Sequence, residues 1–284
     1  MAVYGEIAKI RVGDSYSVKV VGIINCSPDS FYKPSVRLED DEIANFALEL
    51  TEEGAAIIDV GAISTAPPEI YEKPHMESLS VEKERMIRAI SIIRDATETP
   101  ISVDTQRAEV AEAALKLGAS VVNDVSGLKT DPNMARVISE YGAAAVLMAT
   151  KEKPGDVGNI ESIIRELKTS ISIALRNEID ETNIVIDPGV GFGKDHRHDL
   201  RIIRNLAEFR ILEKPILISL SRKNFIGKVL GIEKPEDRLV GSLAATAIAV
   251  YEGVHMIRTH DVHETVEAVE VAEAIRNQTT QLKK

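Results

Sequence analysis

Eight short apolar runs punctuate the 284 residues, at 18–25, 55–60, 100–104, 120–124, 144–149, 183–187, 215–219 and 254–258, and a helical stretch follows each. In EEGAAIIDVG, KLGASVVND, EYGAAAVLM and YEGVHMIRTH a glycine stands between a helix and the next strand. Gly54, Gly118, Gly142 and Gly253 occupy the place where a helix takes a left-handed residue before the chain turns back. The intervening segments carry a helical period; within 106–117, Ala108, Ala111 and Leu115 fall on one apolar stripe. Short apolar strands alternating with helices belong to a parallel sheet covered on both faces. Eight such units close on themselves, so the pattern predicts an α/β chain folded as a (β/α)8 TIM barrel, a fold of about 250 residues. A single domain is expected over 1–284, with 1–17 capping the barrel bottom and 277–284 (NQTTQLKK) as a frayed tail. The stretches 61–80 and 222–240 are expected to be loops, or loops with an inserted helix, after their strands.

Charge narrows the class of partner. A formal net charge of −11, with 44% hydrophobic and 28% charged residues, suits an ordinary globule and opposes loose binding to nucleic acid or anionic membrane. An anionic substrate must then meet a local basic pocket. No run of about 18 uncharged apolar residues is present to span a bilayer, and MAVYGEIAKIRVGD carries charge where a signal peptide is apolar. A cytoplasmic protein is expected. The lone Cys26 forms no internal disulfide and no cysteine zinc site.

The polar residues that end the apolar runs point to chemistry. PISVD closes on Asp104, SVVND on Asn123 and IVID on Asp187, just before PGVGFGK. A carboxylate at the last position of a buried strand is costly unless it meets a partner, and in this fold the carboxyl ends of the strands build the site. The same ends offer Asn25, Ser64, Thr65, Asp124, Met148, Lys194, Arg222, Lys223, Arg258, His260 and Asp261. Carboxylates and an amide suit the donor edge of a neutral heterocycle, while Lys223, Arg258 and His260 with Asn25 suit an anion and its metal. The inventory predicts a heterocycle carrying a phosphate group. Asp59 and Asp124 read equally well as loop anchors. His75, His196, His198, His255 and His263 read as surface or core residues, and Cys26, with no base beside it, as packing. PGVGFGK is neither a phosphate-binding GxxxxGK[ST] loop nor a GxGxxG dinucleotide fingerprint, because Pro188 holds the first glycine position and Asp195 follows the lysine.

At these positions the chain resembles the dihydropteroate synthase family. The resemblance runs through VVGIINCSPDSF (20–31), GAAIIDVGAIST (54–65), ISVDTQRAEVAEAALKLGASVVNDVSG (101–127), IVIDPGVGFGK (184–194), SLSRKNFIG (219–227) and IRTHDV (257–262), in the family's order. It implies condensation of 6-hydroxymethyl-7,8-dihydropterin pyrophosphate with an arylamine, normally p-aminobenzoate, and release of pyrophosphate. It further implies a pterin pocket of Asp104, Asn123, Met148, Asp187, Phe192 and Lys223, a pyrophosphate site of Asn25, Arg258 and His260, and Mg2+ held in part by Asn25. Asp104, Lys223, Arg258 and His260 are expected to carry the catalytic load. Lys33, Ser64, Thr65 and Asn224 are expected to face the arylamine, and a homodimer is implied.

The departures fall on the arylamine side. GAISTAPP replaces a loop that usually reads like GESTRPG, so Ala66 stands for an arginine; DSFYKPSV replaces DSFSDGG; and Met148-Ala149 replaces methionine-histidine. A related branch in archaea joins the same pterin to 4-(β-D-ribofuranosyl)aminobenzene 5′-phosphate, on the route to tetrahydromethanopterin, and Lys33 or Arg37 could serve its phosphate. That arylamine is the favoured expectation here. A pterin-dependent methyltransferase acting on a corrinoid would have little use for the SRK and RTHD segments, and a noncatalytic pterin-binding protein would differ in turnover alone.

Overall fold

The computed structural model describes residues 2–28, 32–64, 77–193 and 195–277. Eight parallel strands form one sheet: β3 (Lys19–Asn25), β4 (Ile57–Gly61), β5 (Ile101–Asp104), β6 (Val121–Asp124), β7 (Ala144–Met148), β8 (Ile184–Asp187), β9 (Leu217–Ser219) and β10 (Met256–Thr259). Each falls inside its apolar run or oversteps it by one residue. The order β8-β7-β6-β5-β4-β3-β10-β9 is closed by a parallel bridge between Ile186 and Ile216, so the sheet is a barrel. Two strands precede it, β1 (Tyr4–Ile7) and β2 (Ile10–Gly13), paired as an antiparallel hairpin. The helices are α1 (Asp40–Glu52), α2 (Leu79–Ala96), α3 (Ala108–Lys116), α4 (Met134–Glu140), α5 (Ile160–Arg176), α6 (His196–Arg204), α7 (Asn224–Leu230), α8 (Leu239–Tyr251) and α9 (Val262–Asn277). Gly54, Gly118, Gly142 and Gly253 all have positive φ, from 59° to 100°, as the turn from helix to strand requires.

Strand alternation divides the core in two. Outward residues such as Ile24, Ile58, Val103, Val122, Leu147 and Ile186 join the helices in one large cluster. Inward residues such as Val21, Ile57, Val121, Val146, Val185 and Met256 join Ile7 and Val12 of the hairpin in a second. The hairpin therefore plugs the amino-terminal end of the barrel, and the carboxyl end is left to the polar residues. Asp14, after the hairpin, fastens this plug: both its oxygens take Arg210 nitrogens at 2.7 Å, and Oδ2 also accepts the Val3 N–H at 2.7 Å.

Segment 222–240 holds α7, a 3-10 turn at Pro235–Arg238 and the first residues of α8. In 61–80 only 61–64 and 77–80 are described, and the tail beyond Asn277 lies outside the described residues. No helix among the described residues is long and apolar enough to cross a membrane.

Candidate active site

Strand register sets the height of each side chain in the barrel mouth. Asn25 pairs with Gly61, Gly61 with Asp104, and Asp104 with Asn123, so these four positions form one level row. Met148 pairs with Asp187 on the far side. Arg258 pairs with Val21 and Ser219, below that row, and its long side chain rises into it.

The guanidinium of Arg258 meets two acids there. Its Nε donates to Asp59 Oδ2 at 2.6 Å, and Nη2 donates to Asp104 Oδ2 at 3.0 Å. Asn123 Nδ2 donates to the same Asp59 oxygen at 3.3 Å. Asp59 Oδ1 and Asp104 Oδ1 are buried with no hydrogen-bond partner among the described residues. Such atoms are rare in native proteins, and two together mark a place where donors of a ligand belong. Burial pushes the Asp104 carboxyl up to about 7; Arg258 opposes that shift, and the charges of Asp59, Glu82 and Asp124 add to it.

Across the mouth, Asp187 Oδ1 accepts the Gly189 N–H at 2.7 Å, which turns the glycine-rich segment away from the strand. Lys223 lies flat across Gly191, where an added Cβ would sit 2.4 Å from the lysine Cδ. Gly191 is left-handed at φ 78°, so a side chain is excluded there twice over. Lys223 Nζ donates to the Val190 carbonyl and stands 4.6 Å from the Phe192 ring centroid. Met148 is fully buried beside Asp187. The expected pterin residues Asp104, Asn123, Met148, Asp187, Phe192 and Lys223 thus surround one mouth. Asp59 joins them, although its position reads equally well as a loop anchor. Its signal was phase: it lies two residues before Gly61 on an otherwise apolar strand, hence on the inward face.

The residues expected to hold pyrophosphate divide into two groups. Arg258 is committed to the acids, with Nη1 alone carrying no hydrogen bond among the described residues. Asn25 and His260 lie nearer the rim. Asn25 Nδ2 donates to Ser35 Oγ at 2.7 Å, which donates in turn to the Tyr32 carbonyl at 2.7 Å. Asn25 Oδ1 faces Gly61, where no side chain blocks it. His260 Nδ1 and Ser221 Oγ are 2.9 Å apart. Burial, with Arg258, Arg222 and Lys223 around it, holds the His260 imidazole well below its usual value, so it is neutral at pH 7.

Other expected positions have structural duties. Asp124 accepts the N–H groups of Ser126 (2.8 Å) and Leu128 (2.9 Å) and anchors its loop. Arg222 forks Asp261 through Nε (2.9 Å) and Nη2 (2.6 Å), and reaches this place through a left-handed backbone at φ 56°. Lys33 Nζ donates to the Pro28 carbonyl at 2.5 Å, within its own loop. Arg37 lies 4.0 Å from the Phe46 ring centroid. Ser64 is half-buried after β4, and Asn224 begins α7 directly after Lys223. Thr65, Ala66, His75 and Lys194 lie outside the described residues. Cys26 is buried, its thiol pushed up to about 12 by that burial, which leaves no nucleophile. His255 accepts the Ile216 N–H on Nδ1 at 3.0 Å and faces Asp14 at 3.3 Å, far from the mouth.

Comparison with known proteins agrees with this geometry. The family model described as pterin binding enzyme matches residues 21–260. Over 268 residues, 93% of this chain and 91% of the relative, the sequence is 37% identical to the dihydropteroate synthase of Bacillus subtilis strain 168. The crystal structure of dihydropteroate synthase from Clostridium difficile in the presence of pteroic acid superposes with a TM-score of 0.82 at 39% identity, covering 91% of this chain and 97% of that one. The Thermus thermophilus enzyme in complex with 4-aminobenzoate gives a TM-score of 0.80 at 34% identity, covering 97% and 100%. With its barrel, strand-end acids and whole-length similarity, the chain belongs to the pterin-binding enzymes, and within them to the dihydropteroate synthase family of transferases.

Proposed function

We propose that this chain condenses 6-hydroxymethyl-7,8-dihydropterin pyrophosphate with p-aminobenzoate and releases pyrophosphate. The observation that carries the reading is the pair of buried, unpartnered carboxylate oxygens on Asp59 and Asp104, set opposite Asp187 across one mouth. A pterin presents a 2-amino group and ring N–H groups along one edge, a donor array that these oxygens can accept. Asp187 takes the 2-amino group and the adjacent ring N–H, Asn123 serves the ring nitrogens with its amide, and Lys223 reaches the oxo group. The ring is thereby held with its exocyclic methylene toward the rim.

The C–O bond from that methylene to the diphosphate breaks, and the arylamine nitrogen forms the new C–N bond, then loses a proton. An aromatic amine is neutral at pH 7, so no strong base is needed. Charge grows on the leaving oxygens, where Arg258 Nη1 and the neutral His260 donate hydrogen bonds. Asp104 stabilises positive charge that develops on the pterin. Among the described residues no group of three His, Cys, Asp or Glu forms a metal cage. Asn25 Oδ1 is a neutral oxygen facing the side-chain-free Gly61 and would supply one ligand to Mg2+. Bound there, the ion would neutralise leaving-group charge.

The ribosyl 5′-phosphate arylamine loses ground, because Lys33 is engaged with Pro28 and Arg37 with Phe46. Solved relatives include one with 4-aminobenzoate bound. Steady-state kinetics with both arylamines at matched Mg2+ test the reading: a higher kcat/KM for p-aminobenzoate supports it, and a higher value for the phosphorylated arylamine reverses it. The same reading includes a homodimer. Val240, Ile248 and Tyr251 on α8, with Val271 and Ile275 on α9, leave an exposed apolar face on two packed helices. Sedimentation should show a dimer that Val240→Asp with Val271→Asp dissociates.

A further inference from the structure

Tyr32 stands where the family's DSFS motif has a serine, and its ring is buried between two residues that follow β9 and β10, the next strands round the barrel from β3. The Arg222 guanidinium lies 4.5 Å from the Tyr32 ring centroid. The His260 ring is 4.9 Å away on a tilt of 57°. Both neighbours are fixed in turn. Asp261 forks Arg222, the Arg222 Nη1 donates to the carbonyls of Pro235 (3.2 Å) and Glu236 (2.5 Å), and Ser221 joins His260 to Asp261. On its other side, the Tyr32 carbonyl receives Ser35 Oγ–H, and Ser35 orients Asn25. A continuous path of contacts therefore runs from the Asn25 amide on β3, through Tyr32, to His260 after β10. Serine, with no ring, could not bridge that gap.

We infer that Tyr32 is a positioning residue for the diphosphate part of the substrate: its ring docks the segment after β3 onto Arg222 and His260 and so sets Asn25 and His260 at a fixed separation. This rests on the condensation reading only in naming diphosphate as the group held. A cation over an aromatic face contributes about tenfold in binding when partly desolvated. The ring supplies the contact, so the hydroxyl is dispensable. The pterin acids lie on other strands, β4, β5 and β8.

The test compares wild type, Tyr32→Phe and Tyr32→Ser by calorimetric titration with inorganic pyrophosphate, in Mg2+ and saturating 6-hydroxymethylpterin, beside titration with the pterin alone. Tyr32→Ser should lose about tenfold in pyrophosphate affinity. Tyr32→Phe should keep the wild-type value, and pterin affinity should be the same in all three. Wild-type pyrophosphate affinity in Tyr32→Ser overturns the inference, as does an equal loss in Tyr32→Phe or a parallel loss of pterin affinity in Tyr32→Ser. If the expected affinities are found but the wild type forms no product with any arylamine, the condensation reading falls and the role of Tyr32 stands.

Discussion

Arg258 and Asp59 are joined by a 2.6 Å hydrogen bond inside the barrel mouth, between strands whose residues lie 199 positions apart in the chain. This ion pair holds the acid cluster together. With Asp59 almost fully buried, removing the guanidinium strands Asp59 and Asp104 without their cation. Arg258→Ala should therefore cost about 3–5 kcal/mol of stability as well as turnover. Chemical denaturation checks this. The loss should shrink as pH falls below about 7, where Asp104 takes up a proton, and a variant as stable as wild type at pH 8 would show that the pair is not structural.

Asp187→Asn keeps an oxygen for the Gly189 N–H but replaces the other acceptor with a donor. A charge-assisted hydrogen bond contributes about 1.5–3 kcal/mol, so pterin affinity should fall at least tenfold while the melting temperature stays close to that of wild type. Calorimetric titration with 6-hydroxymethylpterin reads this directly.

Asp104 gives a pH signature. Its folded-state value, pushed up to about 7, lies above the ordinary 3.8, so its contribution to stability is full below 3.8 and is lost as pH rises through about 7. A pterin N–H donating to Asp104 favours the ionised form and lowers that value. Pterin binding near pH 6.5 should then release protons, seen as a dependence of binding enthalpy on buffer ionisation. The release should fade above pH 8 and vanish in Asp104→Asn.

At the opposite end, the Arg210 fork, aided by the Val3 N–H and His255 and opposed by partial burial, holds the Asp14 carboxyl well below the usual carboxylate range. Its contribution is present above the ordinary value of 3.8 and is lost as pH falls below it. Because Arg210 is 35% exposed, solvent screening keeps the effect small. Asp14→Asn should cost about 1 kcal/mol at pH 7 and less near pH 3, with kcat/KM unchanged. A loss of activity at constant stability would mean that the hairpin plug influences the mouth.

The eight strands could be read from the sequence because each is a short apolar run with a glycine or polar residue at its boundary, and burial on both faces leaves no other use for such runs. Asp104, Asn123 and Asp187 were legible for the same reason, as polar residues where an apolar strand ends. Asp59 was not, because it interrupts a strand body and only the period-two phase shows which way it faces. Nor was the commitment of Arg258, since its acid partners come from strands that only barrel closure brings near. The neutrality of His260 depends on burial and on three cations, Arg258 from β10 and Arg222 and Lys223 from the segment after β9, that only the fold brings together. The hairpin at 4–13 was read only as part of a cap, because YGEI and IRVG are too short to separate from loop by pattern.

The central claim is that the strand-end acids hold a pterin whose diphosphate leaves to an arylamine. The direct measurement is arylamine-dependent release of pyrophosphate from 6-hydroxymethyl-7,8-dihydropterin pyrophosphate, followed together with the condensed product. Wild type should release one pyrophosphate per molecule of dihydropteroate formed from p-aminobenzoate, and Asp187→Asn should lose at least tenfold in kcat/KM for the pterin. Absence of product with either arylamine, or an Asp187→Asn enzyme with wild-type kcat/KM, would contradict it.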